Sequence, residues 1–188
     1  MIRTATLLCA LAILAACSAA PERAPVDETS TAPGFAAAAI VDIAVVRAVC
    51  PEGSDELLGP DLRAAARKAL INDKSYAVPV DSFVDGVIAQ KNVEPARAAE
   101  AMGSDGVLAI RLEQWDAGAF MGSGRITASA TATLYGKNGV ELWKHTLKDR
   151  AVLYGGTVNG SNYREAIVAV TRTFATEVLA TLPRKIAR

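Results

Sequence analysis

One segment of this 188-residue chain alternates strictly between apolar and polar residues, over positions 125–135. The apolar set is Ile126, Ala128, Ala130, Ala132 and Leu134. A period of two is the spacing of a β-strand with one dry face and one wet face. The alanines on the dry face leave room for a helix to pack closely. The Asn138-Gly139 pair is typical of a hairpin turn, so residues 142–153 are predicted to form the return strand.

Elsewhere the chain alternates between strand and helix patterns. The predicted strands are 37–49, as a buried central strand, 76–80 and 106–115. The predicted helices are 56–71, a helical pair between 81 and 102, and 163–182, the longest. Together these elements predict an α/β fold, a mixed β-sheet with flanking helices in two or three layers.

The first sixteen residues have the layout of a secretory signal peptide. Arg3 supplies the positive start, and residues 7–14 form an apolar core that is too short for a membrane span of roughly 20 residues. The residues Leu14-Ala15-Ala16-Cys17 resemble the lipobox of bacterial lipoproteins. That resemblance implies cleavage after residue 16 and a diacylglycerol on the Cys17 sulfur. The alternative is an ordinary cleaved signal that happens to have a cysteine after its small residues.

The lipobox predicts attachment to a membrane, because two or more acyl chains hold a protein stably on a bilayer. Ser18 follows Cys17, and in the enterobacterial lipoproteins that this chain resembles a residue other than Asp usually permits sorting to the outer membrane. The expected location is therefore the outer membrane, lipid-anchored and facing the periplasm. Residues 17–34, with three prolines, are predicted to be the lipidated cysteine and a disordered tether. Residues 35–183 are predicted to be one domain and 184–188 a solvated basic tail.

Charge and cysteine content exclude several classes of protein. The chain has 20 basic and 20 acidic residues, so no broad basic field is available for nucleic acid. Removal of the signal leaves Cys17 and Cys50 as the cysteines, so the mature chain has no pair of free thiols for an internal disulfide. Cys50 is expected to be a buried small hydrophobe, and the alternative is a reactive or intermolecular thiol.

Catalytic motifs are lacking in the sequence. His145 is the single histidine and is expected to be a structural or solvated surface residue. Metal sites need several converging ligands, and no such cluster is visible. The glycine-rich segment 118–124 lacks the Lys and Ser/Thr order of a phosphate loop. We therefore expect no enzyme, no metal site and no cofactor.

The segment 118–124 is more informative as a contact surface. Phe120 and Met121 are apolar residues between glycines, in a segment that we expect to be exposed. Exposed aromatic and methionine side chains are typical anchors of protein interfaces. The alternative is that they fold back over the hydrophobic edge of the sheet. Trp115 and Tyr154, both at strand ends, are predicted to extend the same patch, whereas Trp143 is expected to pack in the core or on the sheet.

Three segments, 76–80, 98–110 and 128–143, resemble a family of small Gram-negative envelope lipoproteins that share the fold of the TolB N-terminal domain. The family includes a group of neisserial vaccine-candidate lipoproteins. More distant relatives are the curli secretion lipoprotein, the Pel polysaccharide export lipoprotein and an activator of penicillin-binding proteins. The curli subunit inserts amphipathic hairpins into the membrane, and this chain has no extra hairpin of that kind, so a pore is not expected.

The resemblance implies an accessory protein of an envelope export or assembly complex, which acts by protein–protein contacts or as a homo-oligomer. The alternative is a tethered regulator of an envelope or peptidoglycan enzyme, which the short tether disfavours. A ligand-binding protein would need a concave pocket with convergent polar groups, and the sequence shows none.

Overall fold

One mixed sheet runs through the computed structural model, which describes residues 27–185; Cys17 and the predicted signal peptide lie outside that range. The strands are β1 (Glu28–Thr31), β2 (Ile43–Val45), β3 (Gly106–Asp116), β4 (Arg125–Gly136) and β5 (Glu141–Leu153). Their spatial order is β1-β5-β4-β3-β2. The β2–β3 pair is parallel, and the other three pairs are antiparallel. The predicted α/β fold with a mixed sheet is confirmed.

Helices pack on both faces of this sheet. They are α1 (Leu58–Asn72), α2 (Asp81–Lys91), α3 (Ala98–Met102), α4 (Phe120–Ser123) and α5 (Tyr163–Val178). The long helices α1 and α5 pack against each other and against the face that holds the larger core. The predicted helices are therefore present, although α5 ends at Val178 instead of residue 182.

The larger core depends on the alternation in β4. All five apolar residues of its dry face are fully buried. The facing stripe of α5 is buried as well, through Ile167, Val170, Phe174 and Val178. Because the central three residues of the β4 face are alanines, no long side chain separates this strand from the helices above it. The predicted period-two strand and its helical partner are both confirmed.

The opposite face of the sheet is covered only in part. A smaller cluster joins Val84 of α2 and the first residues of α3 to β2 and β3, through Ala44 and Val107. On the wet face of β4, side-chain hydroxyls bond to neighbouring strands: the Thr131 hydroxyl donates to a Glu113 carboxylate oxygen at 2.8 Å. This satisfies polar groups on the less covered face of the sheet.

The predicted central strand over 37–49 is wrong in length and place. Within this segment only the three residues of β2 form a strand, and β2 lies at the edge of the sheet. Residues 76–80 likewise form no full strand, and Ala77 contributes an isolated bridge to Asp42. On the open side of β2, a hydrogen bond from the Arg63 side chain of α1 takes the place of one from a neighbouring strand. The Arg63 Nε donates to the Val45 carbonyl at 2.9 Å, and the Arg63 Nη1 donates to an Asp85 carboxylate oxygen at 2.9 Å. An edge strand covered in this way has fewer open backbone groups.

The expectation of a disordered tether through residue 34 is also wrong in its second half. Glu28–Thr31 form β1, which pairs with β5. Ion pairs hold it further, from Lys148 to Glu28 at 3.3 Å and from Arg150 to Asp27 at 3.5 Å. The ordered domain thus begins before residue 35. Proline and small-residue content indicated disorder, but the open edge of β5 offered this segment backbone partners.

His145 lies inside the domain, which corrects the expectation of a surface histidine. It is 3% exposed, and its Nδ1 lies 2.7 Å from the Thr29 hydroxyl of β1. Burial lowers the pKa of His145, and this outweighs the opposing effect of Asp27. A neutral imidazole therefore helps to hold the strand that leads back toward Cys17.

The pH dependence of folding tests this burial. The ordinary pKa of histidine is 6.5, and the folded value is lower. Below about pH 6.5 the unfolded chain therefore binds a proton that the folded chain does not, so stability falls as the pH decreases. We expect His145→Gln to cost stability at pH 8 and the difference from the wild type to shrink at pH 5. Urea unfolding of both proteins at the two pH values measures it, and a difference that is independent of pH would contradict a buried neutral imidazole.

Candidate interaction surface

The connection between β3 and β4 is compact, although it is rich in glycine. It contains the short helix α4, which ends where the Gly124 backbone N–H donates to the Phe120 carbonyl at 2.8 Å. Gly124 has a φ of +64°, a conformation in which glycine has no steric penalty. The loop is therefore held against this end of the sheet.

Phe120 and Met121 have opposite environments. Phe120 is fully buried and packs edge-to-face on Tyr163 of α5, with ring centroids 5.7 Å apart. The expectation that Phe120 is exposed is wrong. The alternative is correct: Phe120 folds back over the hydrophobic part of the domain. Met121 is 51% exposed. Of the two residues, Met121 is the one available to another protein.

Trp115 and Tyr154 lie at the same end of the sheet as α4. Trp115 is half-buried and packs edge-to-face on Phe174, with centroids 6.0 Å apart. Tyr154 is half-buried, and its backbone N–H donates to the Gly124 carbonyl at 2.8 Å. Their interface role stays a prediction. Trp143, in contrast, is fully buried in the core, as expected.

Two further apolar residues at this end of the sheet were not predicted from the sequence to be exposed there. Leu153, the last residue of β5, is exposed and pairs with Arg125 at the start of β4. Tyr163, the first residue of α5, is 36% exposed. The one feature of the sequence that could have indicated their exposure is that each lies at the end of a predicted strand or helix. The end surface is defined as Trp115, Met121, Tyr154 and Tyr163. Leu153 is not part of it, because its neighbour Val152 points into the larger core and the Leu153 side chain therefore points to the other face of the sheet.

A cavity of about 280 Å³ opens beside the end surface, between the loop 51–55 and α5. Trp115 and Tyr163 line it together with Arg164. The Arg164 guanidinium is already paired with Asp61, to which its Nη2 donates at 2.8 Å. The one basic side chain among the lining residues is therefore engaged within the domain, and Glu52 and Asp55 line the cavity as well.

Residues with possible chemistry are held in their neutral forms. Burial raises the pKa of the half-buried Cys50 thiol, whereas an activated thiol needs a lowered pKa. Burial lowers the pKa of His145, whose Nδ1 faces Thr29. Across residues 27–185, no group of three or more His, Cys, Asp or Glu side chains is placed to hold a metal ion.

Within the same range, the structure contains no helix that is long and apolar enough to span a bilayer.

Comparison with known proteins relates the chain to others by fold. The sequence matches no family model and no curated protein. A PelC dodecamer from Paraburkholderia phytofirmans is 17% identical with a TM-score of 0.54, and the match covers 86% of this chain and 99% of that one. The hypothetical protein CT253 from Chlamydia trachomatis is 14% identical with a TM-score of 0.53, covering 75% and 94%.

Lipoprotein GNA1162 from Neisseria meningitidis is 22% identical with a TM-score of 0.48, and the match covers 72% of this chain and 98% of that one. At such identities, the likeness to PelC and CT253, whose TM-scores exceed 0.5, shows a shared fold. The predicted resemblance to the lipoprotein group that includes PelC is therefore confirmed at the level of the fold.

Substitutions at the two neighbouring loop residues test their different environments. Phe120→Ala should lower the free energy of unfolding by about 3 kcal/mol, because a fully buried ring leaves a cavity. Met121→Ala should change it by less than about 0.5 kcal/mol, because its side chain is largely in solvent. Urea unfolding of both variants and the wild type measures the difference. Equal effects of the two substitutions would contradict the orientation of α4.

Proposed function

We propose that this protein is a lipid-anchored accessory protein of a cell-envelope export or assembly complex, located in the periplasm at the outer membrane. It acts by binding other protein chains, including further copies of itself, and not by catalysis. The lipid is carried by Cys17, which joins the domain to the membrane. The supporting features are the lipobox sequence, the shared fold and the end surface.

The observation that carries this proposal is the cluster of apolar side chains at one end of the sheet. Met121 is 51% exposed there, at the same end of the sheet as the partly exposed rings of Trp115, Tyr154 and Tyr163. Aromatic residues and methionine are enriched in protein interfaces. They are mounted on α4 and on the ends of β3, β5 and α5, so little backbone conformational entropy would be lost on binding.

Self-association is the form of contact that the fold comparison favours. PelC, with which this chain shares its fold over most of both lengths, forms a dodecamer in its crystals. A ring of copies needs two different patches on each subunit, one that meets the preceding copy and one that meets the next. The end surface supplies one such patch.

The alternative function, a tethered regulator of an envelope or peptidoglycan enzyme, is less well supported. Because β1 begins at Glu28, only nine residues, 18–26, lie between Cys17 and the first described residue, Asp27. Fully extended, the chain from Cys17 to Asp27 spans at most about 35 Å. A protein that reaches across the periplasm needs a longer arm.

Light scattering after size exclusion tests the proposed self-association. The lipidated protein in detergent should have a mass of several protomers, and Met121→Glu should reduce it to one, because a carboxylate would be buried in the interface. Val140→Glu is the matched control, since Val140 is 50% exposed and lies in the hairpin at the other end of β5. It should leave the mass unchanged.

A monomeric wild-type protein in detergent would contradict the self-association. An oligomer that survives Met121→Glu but not Val140→Glu would place the contact at the opposite end of the domain. In the first case the proposed accessory function would depend on a different partner, which crosslinking in cells through residue 121 would identify.

A further inference from the structure

An apolar groove of about 610 Å³ lies at the end of the sheet opposite the end surface. Its walls include Phe35, Ala36, Ile40 and Tyr76. The position follows from β5, because the Ala32 backbone N–H donates to the Leu142 carbonyl where β5 begins. A groove of this size is within the range of sites for small molecules, roughly 300–1,000 Å³.

The C-terminal segment forms the mouth of this groove, although the sequence predicted a solvated tail. The Lys185 backbone N–H donates to the Lys74 carbonyl at 2.9 Å, and the Tyr76 hydroxyl donates to the Pro183 carbonyl at 2.9 Å. The Lys74 ammonium also donates to the Leu182 carbonyl at 2.6 Å. These bonds hold Arg184 and Lys185 in the lining.

Positive charge is concentrated at the mouth, and the described residues that line the groove include no Asp or Glu. Among the ion pairs of residues 27–185, none includes Arg184 or Lys185. Burial and then repulsion from Arg184 lower the pKa of Lys74, and Asp73 opposes this only in part. An anion at the mouth would relieve that repulsion.

We propose that this groove binds an anionic phospholipid of the bilayer, with part of an acyl chain along the apolar walls and the phosphate at Arg184 and Lys185. An amphiphile with one negative end matches both properties of the groove, its apolar length and its basic mouth. Basic residues beside an apolar surface are a common arrangement for binding anionic lipid. An acidic peptide would use the charges but leave the apolar walls unmatched.

The position of the anchor is consistent with this occupant. Strand β1 starts beside Asp27 and leads to Ala32, which lines the groove. If Cys17 carries lipid, as proposed above, the bilayer is within about 35 Å of Asp27. The lipid-bound groove would then be a second membrane contact that orients the domain. The affinity of the groove itself does not depend on the lipidation of Cys17.

Vesicle sedimentation tests the groove separately from the anchor. The probe protein is the chain from Ser18 to Arg188, which lacks lipid and keeps every described residue. It should bind vesicles of phosphatidylcholine with phosphatidylglycerol and not vesicles of phosphatidylcholine alone. The double variant Arg184→Gln/Lys185→Gln should bind roughly 30-fold more weakly, as expected for two basic residues at a membrane surface. Arg125→Gln/Arg172→Gln, with the same net charge and both sites exposed, should bind as the wild type does.

A second pair of variants tests the apolar walls. Ala36→Glu places a carboxylate in the groove lining, whereas Ala37→Glu places it on an exposed neighbour outside the lining. Ala36→Glu should abolish binding and Ala37→Glu should weaken it only slightly, with circular dichroism showing that both are folded. Equal binding by these two variants would show that the groove is not the binding site and that the basic residues alone bind the vesicle surface. Equal binding to both kinds of vesicle, or no binding by the folded wild type, would overturn the proposal altogether.

Discussion

The close packing of α5 on the alanine face of β4 is the contact on which the rest of the structure depends. Three fully buried alanines leave a shallow surface there, and the apolar stripe of α5 fills the space above it. The two ends of this helix then position the two surfaces of interest. Tyr163, at its start, belongs to the end surface, and Pro183, shortly after its end, lines the apolar groove.

These two surfaces lie at opposite ends of β5. Ala32 bonds to Leu142 at one end of the strand, and Leu153 lies at the other. Thirteen residues of strand separate them by about 40 Å. The proposed roles use this separation: the groove faces the bilayer, and the end surface points into the periplasm toward other proteins.

Local sequence pattern predicted the parts of the fold that depend on local chemistry. The alternation in β4, the hairpin and α5 follow from side-chain periodicity, and they are present. The edges of the sheet were not predictable in this way. Strand β2 is stabilised by the Arg63 side chain of the helix that follows it, 18 residues further along the chain, and β1 forms because β5 has an open edge. In the candidate site, burial of Phe120 depends on the Tyr163 ring, which no local pattern places beside it.

Lipidation of Cys17 is the central claim, because it places the domain at a membrane and sets the length of its tether. Mass spectrometry of the N-terminal peptide of the mature protein, purified from bacterial membranes, tests it most directly. The expected result is an N-terminus at Cys17 that carries a diacylglyceryl group on sulfur and an acyl group on the amine. A mature N-terminus at another residue, or an unmodified Cys17 thiol, would contradict it.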